Sequence, residues 1–534
     1  MREMMFARRG PVVFVTLCVV LAATLAVALA HAGAAQAGPL SPTQDPFYSY
    51  TGALGGVSNG TVLRTRNVSF DAMGLTVPVT STQIVYRTTD ELGKPTVAVA
   101  TVVEPLVGAT GKIASYQWAY DGLAANCEPS YAIQGGTPTE GTNADEQALS
   151  VPLLTAGDTL VIPDYESEAN DFAAGREEGQ ITLDGIKASE NLLALKATTQ
   201  VALIGYSGGA IASDWAAELA PTYAPTLDIV GTAIGGIAVD LNHNLVYVNG
   251  SQEWSGAIPA ALIGISRAFD INLAPYLTSY GAKLLAQAGG TCLESDLGAY
   301  PGLTYQKLLK PQYANIDQVP AIVDPLNKLI MGTGGVPAEP MYMGVGDADG
   351  TGDDVMIDAD DETLAHDYCA DGLAVEFNLY KGDNHESAGT AFLPQAISWA
   401  IGRLAGAPAM NGCSGIPAGD SLAPLATVAA PSSAVAAPEL KLQFRRERVR
   451  EVRVRVRSVN ASASGVVVKL ENAAGRVLAS RKVNVAKGRL ANVNLIARSK
   501  LKPGVYRVFV TAGGKTKAKL SFRVGPKPRH SLLG

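Results

Sequence analysis

A serine hydroxyl attacks an ester only when a base can take its proton and donors can hold the charge that forms on the substrate, so serines in unusual turns come first. Two segments have the spacing G-x-S-x-G, Gly56-Val57-Ser58-Asn59-Gly60 and Gly205-Tyr206-Ser207-Gly208-Gly209. With 56 glycines in 534 residues the pattern arises by chance, and its flanks must decide. A nucleophile elbow needs an apolar strand leading in and a helix leading out, because the sharp turn lifts Oγ above a sheet and aims the helix N-terminus at it. Val201 to Ile204 and Ala210 to Leu219 supply both around Ser207; Ser58 has neither. The bland alternative for Ser207 is a glycine-rich tight turn without chemistry. Gly208 is then a candidate N–H donor to an oxyanion, and Asp121, in the loop Trp118-Ala119-Tyr120-Asp121-Gly122, is the candidate for the second.

Only five histidines could serve as the base. His31 falls in the apolar N-terminal run, His530 in the basic tail, His243 just after Asp240, and His366 inside a helical pattern. His385 follows the strand-like Val375 to Tyr380 and precedes the last helical pattern of this region, where a base would face the elbow; otherwise it is a solvated loop histidine. In the chain order serine, acid, histidine, the acid follows the preceding strand. That strand, Met341 to Val345, runs into Gly346-Asp347-Ala348-Asp349-Gly350-Thr351-Gly352-Asp353-Asp354. Asp349 is the expected acid, with Asp347, Asp353 and Asp354 as alternatives. The same run is similar to calcium loops in which carboxylates and carbonyls supply oxygen ligands, a rival reading. No CxxC or Cys/His cluster suggests zinc, and acyl transfer by these groups requires no cofactor.

Such residues need a scaffold. The apolar runs Lys112 to Tyr116, Thr159 to Pro163, Gln200 to Gly205, Ile229 to Ile234, Met341 to Val345 and Val375 to Tyr380 read as buried strands. Gly185 to Leu195, Gly209 to Leu219, Glu362 to Cys369 and Leu393 to Leu404 read as helices, and strands spaced by helices predict an α/β fold with a parallel sheet covered on both faces. The alternation lapses between about 241 and 340, which predicts an inserted helical cap. Residues 416–438, rich in Ala, Pro and Ser, read as a linker, and 439–526 as a small all-β, sandwich-like domain followed by a tail at 527–534. Its strand-like runs are Val449 to Val456, Val466 to Leu470, Arg489 to Ile496, Val505 to Thr511 and Ala518 to Val524.

Apolar content of 47% with 17% charge belongs to a chain that buries large cores and excludes a disordered one. The net charge of −7 hides an asymmetry: from Glu439 onward lie 24 of the 42 Lys/Arg but only 4 of the 49 Asp/Glu. An acidic body thus carries a basic appendage, read first as a solvated charged sheet face, with attachment to an anionic cell-envelope polymer and docking onto the acidic domain as alternatives. Nucleic acid is not expected. Arg8 and Arg9, the apolar run Val12 to Ala30 and Ala35-Gln36-Ala37 have the layout of an export signal over 1–37, cleaved after Ala37; an uncleaved membrane anchor is the alternative. Past Cys18, four cysteines remain, Cys127, Cys292, Cys369 and Cys413, enough for two disulfides in any of three pairings.

Several ordered segments together resemble the secretory lipase family, which includes the fungal lipase A type and actinobacterial relatives. They are Asp45-Pro46-Phe47-Tyr48, Ser115-Tyr116-Gln117 with Tyr120-Asp121, Cys127-Glu128-Pro129-Ser130-Tyr131, Gly175-Arg176-Glu177-Glu178-Gly179 with Leu183-Asp184-Gly185-Ile186, the elbow itself, and Tyr223-Ala224-Pro225 with Ile229-Val230-Gly231. The resemblance covers roughly 45–415. It implies an α/β-hydrolase domain over 38–415 with a helical cap, a Ser-Asp-His triad and action on carboxylic esters including triacylglycerols, met at a lipid–water interface. It also implies that Asp121 and Gly208 match the oxyanion positions, and that Cys127 pairs with Cys292 and Cys369 with Cys413. The chain departs from the fungal pattern at the acid, where that pattern has an Asp followed closely by Val-Pro. Readings to be weighed against it are a short-chain, xenobiotic or polyester esterase, a peptidase, and a non-catalytic surface-binding protein on a hydrolase scaffold.

Overall fold

The structure is a computed structural model that describes residues 38–72, 75–136, 141–313, 315–427, 440–448, 450–459, 462–512 and 515–525. The expected export signal, the linker beyond 427 and the tail lie outside the described residues. The chain divides into two compact units, Met1–Val428 and Ala429–Gly534.

The first unit is built on a nine-stranded sheet. Its strands are β1 (Val62–Asn67), β4 (Val79–Thr89), β5 (Pro95–Pro105), β6 (Ile113–Gln117), β7 (Thr159–Pro163), β8 (Gln200–Tyr206), β9 (Asp228–Gly235), β10 (Met341–Asp347) and β11 (Val375–Lys381), with β2 (Phe70–Ala72) and β3 (Leu75–Val77) forming a separate hairpin. The order across the sheet is β1-β4-β5-β7-β6-β8-β9-β10-β11. Pairing is antiparallel from β1 to β7 and parallel from β7 to β11. From β6 the chain passes outward to β7, then returns to β8 on the other side of β6. The order therefore reverses between β6 and β8, and the crevice beyond their carboxyl ends is where an open α/β sheet places a ligand.

The strands are apolar on both sides because both faces are covered. Along β8, Val201 and Leu203 join one buried cluster with Ile181, Leu183 and Trp215, while Ala202, Ile204 and Tyr206 join another with Tyr116, Trp118, Phe392 and Ala396. The longer helices are α1 (Gly141–Ala156), α2 (Gly175–Leu192), α3 (Gly208–Tyr223), α4 (Leu241–Tyr247), α5 (Ala257–Ala268), α6 (Ser279–Ala288), α7 (Pro320–Lys328), α8 (Asp358–Ala370) and α9 (His385–Leu404). Between β9 and β10 the described residues hold helices and turns and no named strand. The expected α/β fold is thus found, with two boundary corrections. Helix α2 begins ten residues before the expected Gly185, and α9 begins at His385, not Leu393. Gly175 and Gly179 look like loop residues in sequence, but a Cβ on Gly179 would come within 2.6 Å of the Trp215 backbone, so these glycines serve close packing of α2 on α3.

The second unit is seven antiparallel strands in two sheets. They are β12 (Leu440–Arg448), β13 (Glu451–Ser458), β14 (Ala463–Asn472), β15 (Val477–Val485), β16 (Leu490–Ile496), β17 (Gly504–Ala512) and β18 (Lys515–Val524), ordered β12-β13-β16 and β15-β14-β17-β18. Val452, Val454, Val456, Val466, Val468, Leu470, Val508 and Val510 close the core between them. Sequence reading missed β12 and β15. Both run at a sheet edge; β15 alternates weakly, and in β12 the alternation of Leu440, Leu442 and Phe444 gives way to the charged run that follows.

Candidate active site

The elbow is tight because its glycines permit it. A Cβ on Gly205 would strike the Gly209 carbonyl and one on Gly209 the Gln117 carbonyl, so helix α3 starts in contact with β6 and β8. Ser207 sits between strand and helix with φ 54° and ψ −124°, a backbone strained for any residue with a Cβ, and its N–H is held by the Gly235 carbonyl at 2.9 Å. Ser58, the decoy, lies in a surface loop before β1 with its carbonyl taken by Thr61.

His385 is the first residue of α9, capped by Asn384, whose side chain accepts the Ser387 N–H. Its Nε2 lies 2.8 Å from Ser207 Oγ and its Nδ1 lies 2.7 Å from Asp353 Oδ2. Asp353 is fully buried, and its Oδ1 accepts the N–H groups of Val355 at 3.1 Å and Met356 at 2.7 Å. An ionised carboxylate only accepts, so the imidazole carries its proton on Nδ1 and turns a free Nε2 lone pair to the serine hydroxyl. The His385 N–H also donates to the Asp353 carbonyl at 2.8 Å, and Tyr206 Oη donates to the His385 carbonyl at 2.5 Å. Trp254 packs edge-on against the imidazole, centroids 5.3 Å apart, and a Cβ on Gly236 would press on His385 Cε1 at 2.9 Å.

The acid is therefore placed differently from the expected Asp349. The Asp-rich run first makes a turn in which Asp347 Oδ1 accepts the Gly350 N–H at 2.6 Å and Asp349 Oδ1 accepts those of Thr351 at 2.8 Å and Gly352 at 3.2 Å. The chain then doubles back, with Gly352 bridged to Ile357, and only Asp353 returns under the histidine. Asp354 adopts φ 81° and its N–H reaches Tyr247 Oη at 3.3 Å. Of the carboxylates weighed as calcium ligands, Asp347 and Asp349 each use Oδ1 in a local turn and Asp353 is engaged with His385. Among the described residues no group of three or more His, Cys, Asp or Glu is arranged to hold a metal ion.

Asp121, at φ 31°, ends the loop after β6 and lies against the elbow, so close that a Cβ on Gly208 would overlap its carboxylate. Burial pushes the Asp121 carboxyl up to about 6, opposed by His385, the Tyr165 hydroxyl and the N–H groups of Asp121 itself and Gly208. The two proposed oxyanion donors thus both face the Asp121 carboxyl. His385 feels opposing influences: burial disfavours its charged form, but the Asp353 carboxylate, helped by Asp121 and Glu386, outweighs this and raises its pKa. Behind the loop, Glu166 accepts the Gly122 N–H at 2.9 Å. Glu166, Tyr206 and Trp254 carry no local sequence signal for these roles, because each reaches the site through a tertiary contact.

The two cystine bridges join Cys127 to Cys292 and Cys369 to Cys413, the pairing implied by the family resemblance. The first anchors the Asp121 loop: Gly122 bridges to Cys292, Leu293 N donates to the Asp121 carbonyl at 2.8 Å and Leu123 N to that of Thr291 at 2.9 Å.

A serine on an elbow, an imidazole and a buried carboxylate meeting at the switch point of a largely parallel, doubly covered sheet define an α/β hydrolase. The profile of the secretory lipase family matches residues 135–412. The chain is 32% identical over 393 residues to Lipase 6 of Candida albicans, spanning 70% of this chain and 84% of that protein. It is also 32% identical over 382 residues to a Mycobacterium tuberculosis protein named probable inactive lipase, spanning 69% and 84%. Among solved structures it resembles Candida antarctica lipase A in its closed state, with TM-score 0.65 and 29% identity over 72% of this chain and 92% of that one. The chain belongs to the secretory lipase family and is a hydrolase of the lipase and esterase kind.

Proposed function

We propose that the protein is an exported triacylglycerol lipase that works through an acyl-enzyme on Ser207. The reading is carried by one observation, the hydrogen-bonded line Asp353–His385–Ser207 with contacts of 2.7 and 2.8 Å. Since a similar chain bears the name probable inactive lipase, family membership alone does not carry it. In the first step His385 Nε2 takes the Ser207 proton as Oγ attacks the ester carbonyl. The developing oxyanion displaces the Asp121 carboxyl from the N–H groups of Gly208 and Asp121. His385 then protonates the departing alcohol, and water, activated by the same imidazole, releases the fatty acid and restores the serine. Export is supported by the leader pattern at 1–37 and by the family's secretory character, and no helix among the described residues is long and apolar enough to cross a membrane. The basic second unit is read as the attachment to an anionic polymer of the cell envelope, supported by its charge alone.

The test is Ser207→Ala assayed on p-nitrophenyl esters of graded chain length and on emulsified triacylglycerol. Turnover should fall by about four orders of magnitude or more, to the level left by binding and oxyanion donors. Unchanged turnover would remove Ser207 from the reaction, and a wild-type enzyme that cleaves only short acyl chains would replace the lipase by an esterase.

A further inference from the structure

The family profile ends at residue 412, so the β unit and its charge call for their own account. Strand β13 is central in its three-stranded sheet and alternates strictly. Val452, Val454 and Val456 turn inward and are buried, while Arg453, Arg455 and Arg457 form a file on the outer face. Alternate residues of a strand are about 6.7 Å apart, so the three arginines leave the strand on one face at that step. The register sets an amide or further charge beside each one. Lys441 and Leu490 lie opposite Arg457, Gln443 and Asn492 opposite Arg455, and Asn494 opposite Arg453.

Two contacts among the described residues touch this file. Arg453 pairs with Glu451 at 3.1 Å at one end of the row, and Arg455 Nε donates to the neutral Asn492 Oδ1 at 3.0 Å.

The shape of the patch selects among anions. A membrane-docking surface gathers its apolar side chains at an insertion point, whereas here the exposed Leu490 and Ile496 stand at opposite ends of β16 with two asparagines between them. Single-stranded nucleic acid is bound by stacking on aromatic rings, and the outward residues of β13 and β16 include none. A linear file of guanidinium forks suits tetrahedral oxyanions, which accept two parallel N–H bonds each, and the flanking amides suit the hydroxyls or ester oxygens between them. A phosphodiester joined through a three-carbon polyol repeats every about six backbone bonds, a flexible unit whose reach is on the order of the step between alternate strand residues.

We propose that the outer face of the β12-β13-β16 sheet, along Arg453, Arg455 and Arg457, is a binding site for a linear polyol phosphodiester polymer. This rests on the reading of the basic unit as the part that attaches to an anionic polymer. The full chain is tested against poly(glycerol phosphate), with polyglutamate, dextran sulfate and phosphatidylglycerol vesicles as competing probes. One variant carries Arg453→Gln, Arg455→Gln and Arg457→Gln; a charge-matched control carries Lys515→Gln, Lys517→Gln and Lys519→Gln on β18. The arginine variant should lose tenfold or more in affinity while the lysine control loses less than threefold, and both should keep wild-type ester turnover and melting temperature. Wild-type affinity should fall about 20-fold between 50 and 200 mM salt if three phosphates are neutralised. Equal losses in the two variants would overturn the assignment to this face and leave the anionic-partner reading standing. Equal affinity for polyglutamate or dextran sulfate would overturn the choice of phosphodiester, and binding to vesicles alone would overturn the polymer. No binding to any probe at 50 mM salt would sink the anionic-partner reading itself.

Discussion

Asparagine at position 353 separates the acid seated in the structure from the acid that sequence spacing favours. Asp353 uses Oδ1 for the N–H groups of Val355 and Met356 and Oδ2 for His385 Nδ1. An Asn amide keeps the two backbone bonds by seating its carbonyl oxygen at Oδ1, which turns its –NH2 toward Nδ1. That nitrogen must then accept, the imidazole proton moves to Nε2, and Nε2 can no longer take the proton of Ser207, 2.8 Å away. Holding a triad histidine in the wrong tautomer lowers kcat by about 10⁴. This corresponds to about 5.5 kcal/mol in the barrier. Asp349→Asn keeps the turn, because its amide oxygen can still accept the Thr351 and Gly352 N–H groups, and should change kcat by less than about twofold, in line with other surface substitutions. Both variants are assayed for kcat and kcat/KM on a p-nitrophenyl ester across pH 5 to 9. The Asp353 carboxylate is also what raises His385 against the opposing effect of burial, so in Asp353→Asn the acid limb of residual kcat/KM should move to lower pH. The reasoning fails if Asp353→Asn retains more than a tenth of wild-type kcat, or if Asp349→Asn loses as much.

Two further outcomes are expected. Replacing Cys127 and Cys292 together by serine opens a link of sequence separation 165 and frees the segment that holds the Asp121 carbonyl, so stability should drop by about 3 to 5 kcal/mol and kcat should fall even well below the new melting temperature. Wild-type kcat at 20 °C in that variant would show that the bridge does not position the loop. Burial pushes Glu146 and Glu339 each up to about 7, against the opposing hydrogen bonds of Tyr116 and Ala119 to the first and of Thr232 to the second. The folded chain then holds more protons than the unfolded one between about pH 4.5 and 7, so the stability from each group is complete below that window, is lost through it as pH rises, and amounts to about 3 kcal/mol at most. Melting followed by calorimetry should give a lower transition temperature at pH 8 than at pH 5, and the opposite order would refute this account.

The parallel half of the sheet was legible because its strands are buried on both faces. Val201 to Ile204 and Met341 to Val345 read as unbroken apolar runs whichever side they face, and local sequence then suffices. The elbow was legible for a related reason: a turn this tight can be made only by Gly205 and Gly209, so its geometry is written in residue type. Helix α2 was cut short because Gly175 and Gly179 are explained by Trp215, more than 30 residues away.

The misplaced acid shows where such reading ends. Counting from the last residue of β10 treats the following segment as extended chain, which brings Asp349 level with the histidine. The glycines at 350 and 352 should have warned against this, since Gly350 takes φ 84° and a Cβ on Gly352 would strike the Met356 carbonyl, so both are there to let the chain fold back on itself. A carboxylate early in such a turn is used up closing it, as Asp347 and Asp349 are on Gly350, Thr351 and Gly352. The one that can face inward is the first after the second glycine. When several carboxylates follow a strand, the acid that serves a base is the one whose neighbours supply buried N–H donors, and Asp353, with Val355 and Met356 behind it, is the one that meets that condition.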